Sequence, residues 1–138
     1  MKRLFVLVLL AAGLALFACA KQSKNAGVVE EESQALYKMV SMEEGLALAQ
    51  SNPDALIVDV RRSDEFSEGH IPGALLFSVE NISEENAAQI LPDKNQVILV
   101  YCRSGRRSLM AAKKLSDMGY TNILEMGGII DYTGELEK

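Results

Sequence analysis

The sequence predicts an α/β fold built on a mostly parallel sheet flanked by helices. Two apolar, β-branched runs, Leu56-Ile57-Val58-Asp59-Val60 and Val97-Ile98-Leu99-Val100-Tyr101, lack the polar alternation of a half-exposed strand and suit strands covered on both faces. Helical patterns alternate with strand patterns along the chain, the order expected of parallel strands joined by crossover helices. With 138 residues, 49% of them hydrophobic and 24% charged, the chain fits one compact domain preceded by a leader and a tether.

Tyr37-Lys38-Met39-Val40 is a short strand pattern. Ser41 with Glu44 three residues later forms a capping-box signature that opens a helix through Ala49, and Pro53-Asp54 turns the chain. Leu56–Val60 is then expected in the centre of the sheet. After a polar stretch, Ala74–Phe77 suggests a further strand, and Glu84–Leu91 a helix stopped near Pro92. Val97–Tyr101 is the second buried strand. From Ser108 to Met118 a helical spacing puts Ala111, Ala112, Leu115 and Met118 on one face and Lys113 and Lys114 towards water, with Gly119 placed to end the helix. Ile123–Met126 is the last strand, followed by Gly127-Gly128 and a short helical turn. Leu46, Leu48, Leu75, Leu76 and Ile90 are assigned to the core.

The amino-terminal segment reads as an address. Lys2 and Arg3 precede an apolar run from Leu4 to Ala18, the charged and hydrophobic regions of a secretory signal, and the run is short for a membrane span. It ends in Leu16-Phe17-Ala18-Cys19, which resembles a bacterial lipobox. That resemblance implies a signal peptide over 1–18, cleavage before Cys19, and lipid on Cys19 that anchors the domain to a membrane outside the cytoplasm, on the periplasmic side or the outer surface. A polar tether is expected over 19–35, with Glu30-Glu31-Glu32 as a solvated charge run, and the folded domain over 36–138.

Composition excludes several functions. With 14 Lys+Arg against 19 Asp+Glu the formal charge is -5, and loss of Lys2 and Arg3 would take the mature chain to -7, so no basic excess exists to coat a nucleic acid. One His and two Cys cannot supply a Cys₄ or Cys₂His₂ zinc site from one copy. Chemistry must come from few groups, and in a parallel sheet it belongs at the carboxyl ends of strands.

Cys102 directly follows the Val97–Tyr101 strand, and Arg103-Ser104-Gly105-Arg106-Arg107-Ser108 leads into the next helix. A loop so short and so rich in Gly, Ser and Arg can turn successive N–H groups inward as an anion-binding nest at a helix N-terminus. Those donors, with three arginines nearby, favour the thiolate of Cys102 and make it a nucleophile. An inert buried thiol would not need such a basic loop. His70, the only histidine, lies in a turn-forming stretch, and a low-pKa thiolate needs no separate base, so His70 is assigned to the turn. Asp59 and Arg61 are assigned to an ion pair that braces the loops.

Asp59-Val60-Arg61, Glu65-Phe66, Gly69-His70-Ile71-Pro72-Gly73-Ala74, Cys102 to Ser108 and Gly127-Gly128-Ile129 stand in the order found in single-domain rhodaneses, which are thiosulfate sulfurtransferase-like. The chain resembles that family from about Tyr37 to Thr133. The resemblance implies that Cys102 accepts a sulfane sulfur as a persulfide and passes it on, with Arg103, Ser104, Gly105, Arg106, Arg107 and Ser108 holding the persulfide and the anionic donor. It implies thiosulfate or another sulfane-sulfur donor, an external thiol, cyanide or protein acceptor, and no metal or organic cofactor. Tyr132 stands where many relatives have Trp. The mature body has no second cysteine besides Cys19, so an internal resolving disulfide is not available. A monomer is expected.

Three rival readings follow from the same residues. A cysteine phosphatase or arsenate reductase has a loop one residue longer, with Arg six positions after Cys, where this chain has Ser108. A non-catalytic rhodanese-like binding module usually lacks the cysteine. A dedicated persulfide carrier would share every motif and differ only in slow turnover of small molecules.

Overall fold

The computed structural model describes residues 37–138. The leader, the tether and Cys19 lie outside them. In chain order the elements are β1 (Tyr37–Met39), α1 (Met42–Ser51), β2 (Leu56–Asp59), α2 (Ser63–Glu68), β3 (Leu75–Leu76), α3 (Glu84–Ile90), β4 (Ile98–Cys102), α4 (Arg106–Asp117) and β5 (Ile123–Gly128), with 3₁₀ turns at Val79–Asn81 and Ile129–Asp131. The five strands form one sheet in the order β1-β5-β4-β2-β3, and every pairing is parallel.

The expected α/β architecture is present, with β4 rather than β2 in the middle. β4 is buried along its whole length, so its alternating side chains feed two separate cores. Ile98, Val100 and Cys102 pack with Ala111, Ala112 and Leu115 of α4 on one face, while Leu99 and Tyr101 pack with Met42 and Met126 on the other. The capping box of α1 forms as its sequence requires, with Ser41 Oγ accepting the Glu44 N–H and Glu44 accepting the Ser41 N–H.

Four expectations need correction. α2 falls within the stretch taken as polar connection, because six residues without apolar periodicity give no helical signal. α4 starts at Arg106 rather than Ser108, since Gly105 serves as its N-cap and the last three residues of the expected loop become its first turn. Leu75 and Ile90 are 36% exposed instead of core, on edge strand β3 and at the end of α3. Lys114 lies half-buried, with its ammonium donating to the Val79 carbonyl, whereas Lys113 is exposed as expected.

Asp59 and Arg61 brace the strand ends in the way their sequence placement suggests. Asp59 is fully buried and accepts from the Arg61 backbone N–H, from the guanidinium at 2.7–3.0 Å and from the Tyr101 hydroxyl at 2.7 Å. Arg61 also donates to the Gly69 carbonyl, and Tyr101 accepts the Ile71 N–H, so one buried network ties β2, β4 and the 69–74 turn together. Burial, with the bond to Asp59, pushes the Tyr101 phenol well above its ordinary range. His70 serves that turn: its ring stacks on Phe66 with centroids 3.7 Å apart, Nδ1 is 3.0 Å from the Phe66 carbonyl, and its backbone pairs with Glu137.

Candidate active site

Cys102 is the last residue of β4 and is 1% exposed. The chain leaves the strand through Arg103-Ser104-Gly105, and Gly105 adopts a left-handed conformation at φ 100° that a side chain would strain. The Gly105 N–H points back onto Cys102 Sγ at 3.1 Å. The Ser108 hydroxyl reaches the same sulfur at 3.5 Å from the first turn of α4.

Burial is the largest influence on the thiol and raises its pKa. Hydrogen bonds from the Ser108 side chain and from the N–H groups of Ser108, Ser104 and Gly105 outweigh it, and the net pKa lies below the ordinary thiol value. The thiolate is thus favoured by the Ser108 hydroxyl first and by the loop N–H groups next, whereas the sequence pointed to the N–H groups together with three nearby arginines.

Above the sulfur opens a cavity of about 370 Å³ lined by Arg62, Glu65, Glu80, Cys102, Arg103, Ser104, Arg106 and Arg107. The loop residues divide by task. Arg103, Ser104, Arg106 and Arg107 line the cavity, while Gly105 and Ser108 lie beneath it and hold the sulfur. Arg103 and Arg106 are exposed, and among the described residues neither has a carboxylate within ion-pair distance.

Arg107 is committed elsewhere. Its guanidinium grips Glu65 of α2 through two bonds of 2.6 and 2.8 Å. That pairing holds the Glu65 carboxyl at about 2 and raises Arg107. Glu65 therefore contributes stability that is complete above the ordinary carboxyl value of 4.5 and is lost as pH falls towards about 2. Comparing the thermal midpoints of the native chain and Glu65→Gln should show a gap near neutral pH that closes as the pH is lowered through that window; a constant gap would mean that Glu65 acts by packing alone.

The floor of the site is completed by β5. Gly128 lies against the active loop so closely that a Cβ there would meet the Arg103 carbonyl oxygen at 2.3 Å and Ser104 Cα at 2.7 Å, so only glycine fits. Between the pairs Val100–Glu125 and Cys102–Gly128 the register slips by one residue on β5. That bulge turns the Gly127 N–H onto the Glu125 carboxylate at 2.8 Å, and the same oxygen accepts from Ser108 Oγ. Sequence reasoning assigned no role to Glu65 or Glu125. The signal available for Glu125 was a lone charge inside the apolar strand Ile123–Met126; Glu65 was marked only as part of the Glu65-Phe66 motif of the resemblance, with nothing local to point to Arg107 as its partner.

The fold has counterparts among known proteins. Residues 41–134 match the rhodanese-like domain family model. The chain is 38% identical over 74 residues to thiosulfate sulfurtransferase PspE of Escherichia coli, covering 54% of this chain and 70% of that protein. It is 29% identical over 115 residues to the putative sulfur carrier protein YrkF of Bacillus subtilis, covering 83% of this chain and 60% of the relative. Among solved structures, a rhodanese with anions from E. coli superposes with a TM-score of 0.56 at 34% identity, covering 61% of this chain and 98% of that one. Sulfurtransferases recur among these relatives, and such proteins require a sulfur donor and an acceptor. With its parallel sheet, its cysteine at the end of the middle strand and this match along residues 41–134, the chain belongs to the rhodanese-like domain family.

Proposed function

We propose that the protein is a thiosulfate sulfurtransferase working through a persulfide on Cys102. The observation that carries this reading is a thiol held below its ordinary pKa by loop donors at the bottom of a cavity rimmed with the uncommitted cations Arg103 and Arg106. An anionic donor is drawn to those cations. The Cys102 thiolate attacks the outer sulfur of thiosulfate, the new S–S bond forms as the bond to the sulfite sulfur breaks, and sulfite leaves with the electron pair. An external thiolate or cyanide then attacks the terminal sulfur and restores the Cys102 thiolate. Two displacements through one covalent intermediate give ping-pong kinetics. The N–H groups of Ser104, Gly105 and Ser108 are placed to hold the persulfide anion.

A phosphatase reading fits less well, because the arginine of the shorter loop, Arg107, is bound to Glu65. A dedicated carrier serving one protein partner is the second reading, supported by the likeness to the putative sulfur carrier YrkF. For the rest of the chain the reading is a lipid anchor on Cys19, with residues 19–35 as a tether, which would station the reaction at a membrane outside the cytoplasm.

Intact mass after thiosulfate treatment tests the first half-reaction. A gain of one sulfur, about 32 Da, mapped to the Cys102 peptide and removed by cyanide, is expected of the covalent intermediate. A folded domain that gains no mass would overturn the thiosulfate reading, and loading followed by slow release to cyanide would favour the carrier.

A further inference from the structure

Much of the charge around the cavity above Cys102 cancels between neighbours. Arg107 is bound to Glu65, and Arg62 is bound to Asp64 at 3.0 Å. Three charged groups on the wall are left over: the guanidinium groups of Arg103 and Arg106 and the carboxylate of Glu80. All three are exposed, and among the described residues none has an opposite charge within ion-pair distance.

Glu80 is fixed at its root. It is the middle residue of the 3₁₀ turn Val79–Asn81, and the flanking Val79 and Ile82 are buried in the core that also takes Cys102. The Val79 N–H donates to the Val60 carbonyl just past β2, and the Val79 carbonyl accepts from Lys114 of α4. The field of Glu80 reaches Arg107, but that charge is already answered by Glu65. A carboxylate in this wall works against the first half-reaction, because an anionic donor drawn in by Arg103 and Arg106 is repelled by Glu80. A second substrate with a positive group turns that repulsion into attraction. The cavity, at about 370 Å³, is in the size range that takes a small organic molecule and not merely an oxyanion.

We propose that Glu80 selects the sulfur acceptor, and that this acceptor is a small thiol carrying both an ammonium and a carboxylate. The ammonium pairs with Glu80 and the carboxylate with Arg103 and Arg106, so the two ends of the molecule are told apart and its sulfur is presented to Cys102. The acceptor, its thiol proton lost to water, attacks the outer sulfur of the Cys102 persulfide. A new S–S bond forms as the bond from Cys102 Sγ breaks, and Cys102 keeps the electron pair as thiolate. One S–S bond replaces another, the total charge is unchanged and no outside oxidant is needed. The assignment deepens the sulfurtransferase reading and rests on the persulfide at Cys102.

The test compares two acceptors on the full chain after loading with thiosulfate and removal of the donor, with loss of the extra sulfur followed by intact mass. Cysteine carries both charged groups, whereas 3-mercaptopropionate has the carboxylate and thiol without the ammonium. At equal thiolate concentration, Glu80→Gln should slow transfer to cysteine about fivefold and speed transfer to 3-mercaptopropionate about twofold, the scale of one exposed ion pair. Changes of opposite sign on one sample do not come from a damaged fold. Arg106→Gln should slow both thiols, since both offer a carboxylate. If Glu80→Gln does not fold, the native chain carries the test: added salt should lower the cysteine rate relative to that of 3-mercaptopropionate by screening the extra pair. Equal effects on the two thiols, or a ratio that ignores both Glu80→Gln and salt, overturns the proposal while leaving the sulfurtransferase in place. If thiosulfate leaves no sulfur on Cys102, thiosulfate falls as the donor and the same comparison is read on Cys102 loaded from inorganic polysulfide. A folded chain that neither donor loads overturns both readings.

Discussion

Cys102→Ser should abolish sulfur loading and thiosulfate-to-cyanide turnover while leaving the fold within about 1 kcal/mol of the native protein, the scale of one ordinary hydrogen bond. The serine oxygen can still accept from the Gly105 N–H, the closest donor to the sulfur, and it occupies less space in a site where no clash arises. What it lacks is an accessible anion, since the donors of the nest lower a thiol into a useful range but leave an alcohol far above neutrality. No other cysteine lies among residues 37–138, so no second thiol takes over there. Loading measured by mass, beside thermal unfolding, checks both halves; a variant that folds and still transfers sulfur would place the chemistry elsewhere.

Arg61→Ala should be among the most damaging changes for stability, costing about 3–5 kcal/mol, because it strands the fully buried Asp59 carboxylate. The Tyr101 hydroxyl would remain its partner, but the guanidinium bonds and the tie to the Gly69 carbonyl vanish together. For a domain of this size that corresponds to a fall in melting temperature of more than about 10 °C. The double change Asp59→Asn with Arg61→Met removes both charges and should recover much of the loss. If Arg61→Ala alone melts within a few degrees of the native chain, the pair is not the brace described above.

Legibility followed the range of each signal. The runs 56–60 and 97–101 announced interior strands because a segment apolar on both faces has few other places to go. Cys102 and its loop were legible for a related reason: the thiol, its N–H donors and the glycine that caps the helix all fall within seven consecutive residues. Weak signals failed at the margins. α2 was hidden because Ser63–Glu68 buries no residue and so has no apolar stripe. Leu75 looked like core but lies on a two-residue edge strand, where one side has no neighbour. The start of α4 depended on the left-handed turn at Gly105, a backbone state the composition of the loop permits but does not dictate.

The sequence by itself determined the fold class, the place of Cys102 at the end of a buried strand, the loop that cradles it and the structural use of Asp59, Arg61 and His70, since each rests on residue type, periodicity or short spacing. Tertiary structure alone decided which groups serve the cradle. Arg107 finds Glu65 across 42 residues, and Ser108 finds Glu125 across 17. Those pairings turn one arginine of the loop into a brace and place a buried acid behind the thiol. The physical reason is that such pairs are created by strand order and by the bulge on β5, which bring distant side chains within bonding distance and remove the water between them.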